Sequence, residues 1–138
     1  MKVEVLSSGS KGNTTYIETE QTKLLIDLGN SCKYVKEKLE RLNVDPFDLD
    51  AILITHTHTD HINGLKVFEK RYNTKVYMSP KMQPYLNFIE NYEIVTNSII
   101  KIKDIEINII RTSHDAEESR GYIINNKEKS IVYITDTG

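Results

Sequence analysis

The chain has 138 residues, of which 18 are basic and 20 acidic, giving a formal net charge of -2. That length predicts a single domain over residues 1–138, and the charge balance gives no overall basic character of the kind that advertises nucleic-acid binding. Met1-Lys-Val-Glu-Val-Leu6 soon gives way to Ser-Ser-Gly-Ser, so no apolar run is long enough for a signal peptide or a membrane span, and one cysteine, Cys32, excludes an internal disulfide. A cytoplasmic protein with no membrane association is expected, with Cys32 packed as a small hydrophobe.

Three short strands are predicted first, at Lys2–Leu6, Thr14–Thr19 and Lys23–Leu28. Thr, Tyr, Ile and Val enrichment supports them, as do polar turns at Ser7–Asn13 and Glu20–Gln21. A helix follows from Ser31 to about Leu42. Its residues Cys32, Val35, Leu39 and Leu42 form one apolar stripe, and Glu37 can pair with Arg41 one turn on. Ala51-Ile-Leu-Ile-Thr55 reads as a central strand covered on both faces. Ile62, Leu65, Phe68 and Tyr72 predict a second helix, then a strand at Thr74–Met78 and a helix from Ser79-Pro80 to Glu90. From Ser98 the pattern turns to strands. Ile105, Ile107 and Ile109 alternate with polar residues, and Gly121–Asn125 and Ser130–Thr135 flank the turn Asn126-Lys-Glu-Lys129. Strands interleaved with helices make this an α/β layered domain.

Three of the four histidines fall within six residues, His56-Thr-His-Thr-Asp60-His61, directly after the apolar strand. Imidazole and carboxylate suit zinc, manganese or iron. Alternate residues of an extended segment point to one side, so His56 and His58 can grip one ion while Asp60 and His61 hold a second. The first ion still needs a third protein ligand, and His114, in Thr112-Ser-His-Asp115, is the candidate. Asp136 also follows a buried-looking strand. Alone it would read as a cap or turn residue, but beside two ions it reads better as a bridging carboxylate. Asp27, in Leu24-Leu-Ile-Asp-Leu-Gly29, either accepts the free ring N–H of a ligand histidine or caps a turn. The local positive run Lys66, Lys70, Arg71 and Lys75 reads as a solvated helix face.

The strand followed by Thr55-His-Thr-His-Thr-Asp-His61 resembles the metal-binding signature of the metallo-β-lactamase superfamily. Ser7-Ser-Gly-Ser-Lys-Gly-Asn13, Leu25-Ile-Asp-Leu-Gly29, His114-Asp115 before Gly121-Tyr122, and Asp136-Thr-Gly138 look closer still to its YycJ/WalJ branch, cytoplasmic bacterial proteins regarded as DNA exonucleases. The resemblance implies a four-layer αββα fold, of which this chain would supply the first half-sandwich, and a centre of two divalent ions, zinc first, with manganese or iron also accommodated. It implies that His56, His58 and His114 bind the first ion, Asp60 and His61 the second, and that Asp136 bridges them. A hydroxide between the cations would attack a phosphodiester while the ions clamp the attacking and leaving oxygens.

The family's chain extends further and supplies another histidine to the second ion, so a C-terminally truncated domain is expected, with a homodimer as one way to cover the exposed sheet. The leading expectation is a metal-dependent DNA phosphodiesterase in which Asp60 handles protons as well as binding metal. Two others stand beside it: a hydrolase of small esters, lactones or thioesters, and a non-catalytic remnant holding at most one ion.

Overall fold

The computed structural model describes residues 1–9, 12–111, 120–127 and 129–133. Strands β1 (Lys2–Ser7), β2 (Thr14–Glu18) and β3 (Lys23–Ile26) form an antiparallel meander. Helix α1 (Cys32–Arg41) then crosses over to β4 (Ala51–Leu53), which lies parallel to β3. The short helix α2 (Thr59–Ile62) and α3 (Leu65–Tyr72) lead to β5 (Val76–Met78) and β6 (Tyr92–Ile94), both parallel additions. These six strands make one sheet in the order β1-β2-β3-β4-β5-β6. Strands β7 (Ile99–Ile102), β8 (Ile105–Arg111), β9 (Arg120–Asn125) and β10 (Ser130–Tyr133) make a second, antiparallel sheet in the order β10-β9-β8-β7.

The pleat sends successive side chains of the first sheet into two different cores. Tyr16, Leu25, Ile52 and Val76 face the helices, where they meet Cys32, Val35 and Leu39 of α1 and Leu65, Phe68 and Tyr72 of α3. Ile17, Leu24, Ile26, Ala51, Leu53 and Tyr77 face the second sheet and pack on Ile100, Ile102, Ile105, Ile107, Tyr122 and Ile124. Ile52 is wholly buried between neighbours that point the other way, which is why its strand reads as continuously apolar. The result is a helical layer on two stacked sheets, three of the four layers that the resemblance implies. Cys32 lies in the helix-side core as a packed thiol. Among the described residues, no helix is long and apolar enough to cross a membrane.

Two expected helices are altered. The helix predicted from Ser79 to Glu90 shrinks to a 3-10 turn at Gln83–Leu86, and the chain then enters β6, which the sequence did not announce. Pro84 has no N–H to donate to the carbonyl of residue 80, so an α-helix cannot run through this segment unbroken. The helix predicted after the histidines is split at Asn63-Gly64 into α2 and α3. Gly64 packs against the loop after β3, where a Cβ would lie 2.0 Å from the Asn30 carbonyl oxygen. The amide of Gly64 also donates to the Leu28 carbonyl at 2.9 Å. That backbone contact fixes the bend. Elsewhere the boundaries shift by a few residues, as for α1, whose first turn is capped by the Ser31 hydroxyl accepting from the Tyr34 amide at 3.1 Å.

Candidate metal centre

Parallel pairing of β3 and β4 brings the two loops that leave them to the same edge of the sheet. Asp27 follows β3 directly, and Thr55–His61 follows β4, so residues nearly thirty positions apart become neighbours at the carboxyl ends of the strands. Asp27 adopts φ 63°, a left-handed conformation that aspartate tolerates better than most residues. Its amide donates to the Leu53 carbonyl at 2.8 Å, while its carboxylate turns inward with no solvent exposure.

That carboxylate is fully engaged. Oδ1 accepts from the Thr55 amide at 2.8 Å, and Oδ2 accepts from the Thr55 hydroxyl and faces His61 Nδ1, both at 2.6 Å. Burial pushes the Asp27 carboxyl above its usual range, and the hydrogen bonds from His61 and Thr55 pull it only part of the way back. For His61, burial works against the charged ring, but the bond to Asp27 and the charges of Asp27 and Asp60 outweigh it, and its pKa is raised. Both shifts have the same meaning: the buried pair holds a proton between its members, on the Nδ1 side of the ring. Asp27 therefore hydrogen-bonds a histidine of the cluster through its buried carboxylate.

With Nδ1 committed, His61 turns Nε2 outward. It lies 3.5 Å from Asp60 Oδ2. A lone pair and a carboxylate oxygen at that separation repel unless something positive lies between them. The donors of His56, His58 and Asp60 gather on the same side, with one ligand atom from each lying within 4.8 Å of the others. The rings of His56 and His58 are 4.6 Å apart and those of His56 and His61 3.8 Å apart. The donor chemistry and spacing fit divalent ions. His56 is buried, Asp60 partly so and His58 exposed, so the cluster opens to solvent on one side.

Asn13, which the sequence reading did not single out, closes another side. Its Nδ2 donates to Asp60 Oδ2 and to the Asp60 carbonyl, both at 3.2 Å, and lies 3.4 Å from His61 Nε2. Its backbone is fixed as well, with the Asn13 amide donating to the Asp60 carbonyl and the Gly29 amide to the Asn13 carbonyl, at 2.7 and 3.0 Å. Gly12 makes the turn possible at φ 146°, its missing Cβ leaving room for the backbone of Gly29 and Asn30. The signal was present in Gly12-Asn13, but its purpose depends on a loop 47 residues away. The second sheet braces the cluster from below: the Arg120 amide donates to the Thr55 carbonyl at 2.7 Å, and the Tyr122 hydroxyl to the Ile54 carbonyl. His114 and Asp136, the other expected ligands, lie outside the described residues.

Residues 8–125 match the sequence profile of the metallo-beta-lactamase superfamily. The chain belongs to that superfamily. Among curated relatives it is 39% identical to the exodeoxyribonuclease WalJ of Streptococcus pneumoniae over 146 residues, covering 99% of this chain and 54% of the relative. It is 36% identical to the exodeoxyribonuclease YycJ of Bacillus anthracis, covering 97% and 53%. The chain thus spans about half the length of these superfamily members. Its fold is that of a B3 metallo-beta-lactamase with an active-site glutamic acid (TM-score 0.78, 19% identity, covering 98% of this chain and 62% of the other). Human tRNase Z, short form, shares the same fold (TM-score 0.74, 16% identity, covering 99% and 69%). The branch expected from the histidine cluster and its flanking motifs is the one found.

Proposed function

We propose that the protein is a metal-dependent phosphodiesterase that degrades DNA as an exonuclease, working through two divalent ions, zinc first, in the cytoplasm. The observation that carries this reading is the convergence of His56, His58 and Asp60 around one point, with His61 Nε2 turned toward Asp60 by its bond to Asp27. The names of the relatives, both exodeoxyribonucleases, supply the substrate class. His56 and His58 would hold the first ion, with His114 as third ligand. Asp60 and His61 would hold the second, with Asp136 between the two.

Once bound, the ions would supply a hydroxide nucleophile near neutral pH and neutralise charge building on the phosphoryl oxygens. The protein's own groups then divide the remaining work. Asp27 fixes the ring orientation and tautomer of His61, and Thr55 holds Asp27 through two hydrogen bonds. Asn13 orients the Asp60 carboxylate by donating to it. Asp60, with its carboxylate partly open to solvent, would take up the proton that water gives up in becoming that hydroxide. The exposed side of His58 leaves room for a strand end to approach.

The test is digestion of end-labelled DNA by purified protein, with and without chelator, alongside metal content and a lactone as competing substrate. Metal-dependent release of nucleotides from DNA ends, lost in His56→Ala and Asp60→Ala, is expected. Lactone hydrolysis without DNA cleavage would replace this reading with the small-ester one.

A further inference from the structure

The outer face of α3 concentrates positive charge in a chain whose net charge is -2. Lys66, Lys70 and Arg71 are all exposed, and among the described residues none forms an ion pair. Lys75, the fourth cation of the run, is different because it pairs with Glu93 at 3.4 Å. The one acid of the helix, Glu69, is buried, and its carboxylate accepts from the amides of Glu90 and Asn91 at 3.3 and 3.2 Å. A helix face balanced only for solvation would leave such an acid outside, paired with Lys66 one turn back. Here it is drawn inward, and three uncompensated cations remain.

These cations are also arranged around something. Lys66 and Lys70 form one column at i,i+4 spacing, and Val67 and Arg71 form the next. Together they frame a shallow, open hollow on the helix surface of about 360 Å³. Val67 is 53% exposed, an apolar side chain between cationic stems. The helix starts four residues after His61 and is roughly 12 Å long, so Lys66 follows the metal-ligand loop closely in sequence while Arg71 lies near the helix's far end.

We propose that this face of α3 binds the sugar-phosphate backbone of a DNA strand whose end lies in the metal centre, with Lys66, Lys70 and Arg71 contacting phosphates and Val67 packing on a sugar. The proposal rests on the phosphodiesterase reading and adds the surface that holds the strand. It makes the face a sequence-independent contact, since phosphate contacts position a strand without reading bases.

The test uses the full protein and the variant Lys66→Gln/Lys70→Gln/Arg71→Gln, whose replacements are neutral and good helix formers. Affinity for a single-stranded oligonucleotide is measured between 50 and 200 mM salt, alongside zinc affinity and hydrolysis of a small activated phosphodiester. Three lost phosphate contacts should flatten the plot of log affinity against log salt by about 2, with zinc affinity and small-diester turnover unchanged. If the triple variant binds zinc poorly, Lys70→Gln alone is read instead, with about a third of that change expected. An unchanged slope would overturn the proposal, as would a protein that binds anionic vesicles but not DNA. If no diester is hydrolysed yet the slope falls as stated, the hydrolase reading fails and the binding face stands.

Discussion

His61 Nδ1 lies 2.6 Å from Oδ2 of Asp27, a carboxylate with no solvent exposure and both oxygens already accepting from Thr55. The contact decides which ring nitrogen carries the proton, and hence which one faces Asp60. A substitution that keeps the shape but reverses the hydrogen bond should therefore disturb metal binding more than folding.

Asp27→Asn is that substitution. The Thr55 amide demands an acceptor at Oδ1, so the asparagine must place its NH2 where Oδ2 stood, facing His61 Nδ1. An N–H there makes Nδ1 the acceptor and moves the ring proton to Nε2, the nitrogen needed for metal. Zinc affinity measured by calorimetry should fall about 10- to 100-fold while the far-ultraviolet spectrum is retained. An affinity within twofold of the parent would show that Asp27 does not set the tautomer.

The same pair gives the metal-free protein a pH dependence whose sign is fixed. Asp27 and His61 both have folded-state pKa values raised above their ordinary 3.8 and 6.5. The folded chain therefore holds these protons more tightly than the unfolded one, and stability falls as pH rises through the folded values. The His61 contribution is fully present below pH about 6.5 and lost on the alkaline side. In chelator, urea midpoints should be lower at pH 9 than at pH 6. Saturating zinc should shrink the difference, because the metal replaces the proton as the positive charge. A midpoint that rises with pH in chelator would contradict the assignment.

Much of this centre was legible in the chain because its core is local. His56, His58, Asp60 and His61 are contiguous, and the apolar strand before them fixes where they emerge. Asp27 could be named but not decided, since a strand-terminal aspartate looks the same whether it caps a turn or holds a histidine. Parallel pairing of β3 with β4 brings it beside His61, and that pairing leaves no local mark. Asn13 and Thr55 were silent for the same reason. Each acts through hydrogen bonds to a distant segment, in residue types that are common in any turn. The missed strand β6 and the overlong helix before it have a local cause, the weight given to Pro80 as a helix start over Pro84 as a helix stop.

On the proposed two-ion reading, Asn13→Ala should separate the two ions. Nδ2 is the donor that holds Asp60 Oδ2 beside His61 Nε2, whereas among the described contacts of Asn13 none of this kind reaches His56 or His58. Losing it should cost about 1 kcal/mol of stability and weaken the site built on Asp60 and His61 more than the other. Titration with cobalt, followed by its absorption bands, should show one ion binding as before and a second binding later. Equal weakening of both would place Asn13 in general packing instead.

Gly29 tests whether the approach of two backbone segments sets the geometry of the ligands. A Cβ at this position would lie 1.8 Å from the Asp60 carbonyl oxygen and 2.5 Å from both the Asp60 carbonyl carbon and the Asn13 amide nitrogen. All three are backbone atoms, so none can rotate away as a side-chain end would. To accept a methyl group, the start of α2 must retreat by about 1 Å, breaking the bonds by which Asn13 holds the Asp60 carbonyl. Gly29→Ala should lose at least about 1–3 kcal/mol and most of its zinc affinity. Gly64→Ala meets the Asn30 carbonyl oxygen at 2.0 Å, beyond the far end of α2 from Asp60. It should lose comparable stability but keep more of the zinc affinity, because the ligands lie on the other side of the bend. Zinc titration of both variants at a temperature where each stays folded gives the comparison. Gly29→Ala retaining parental affinity would mean the ligand loop is not positioned by this contact.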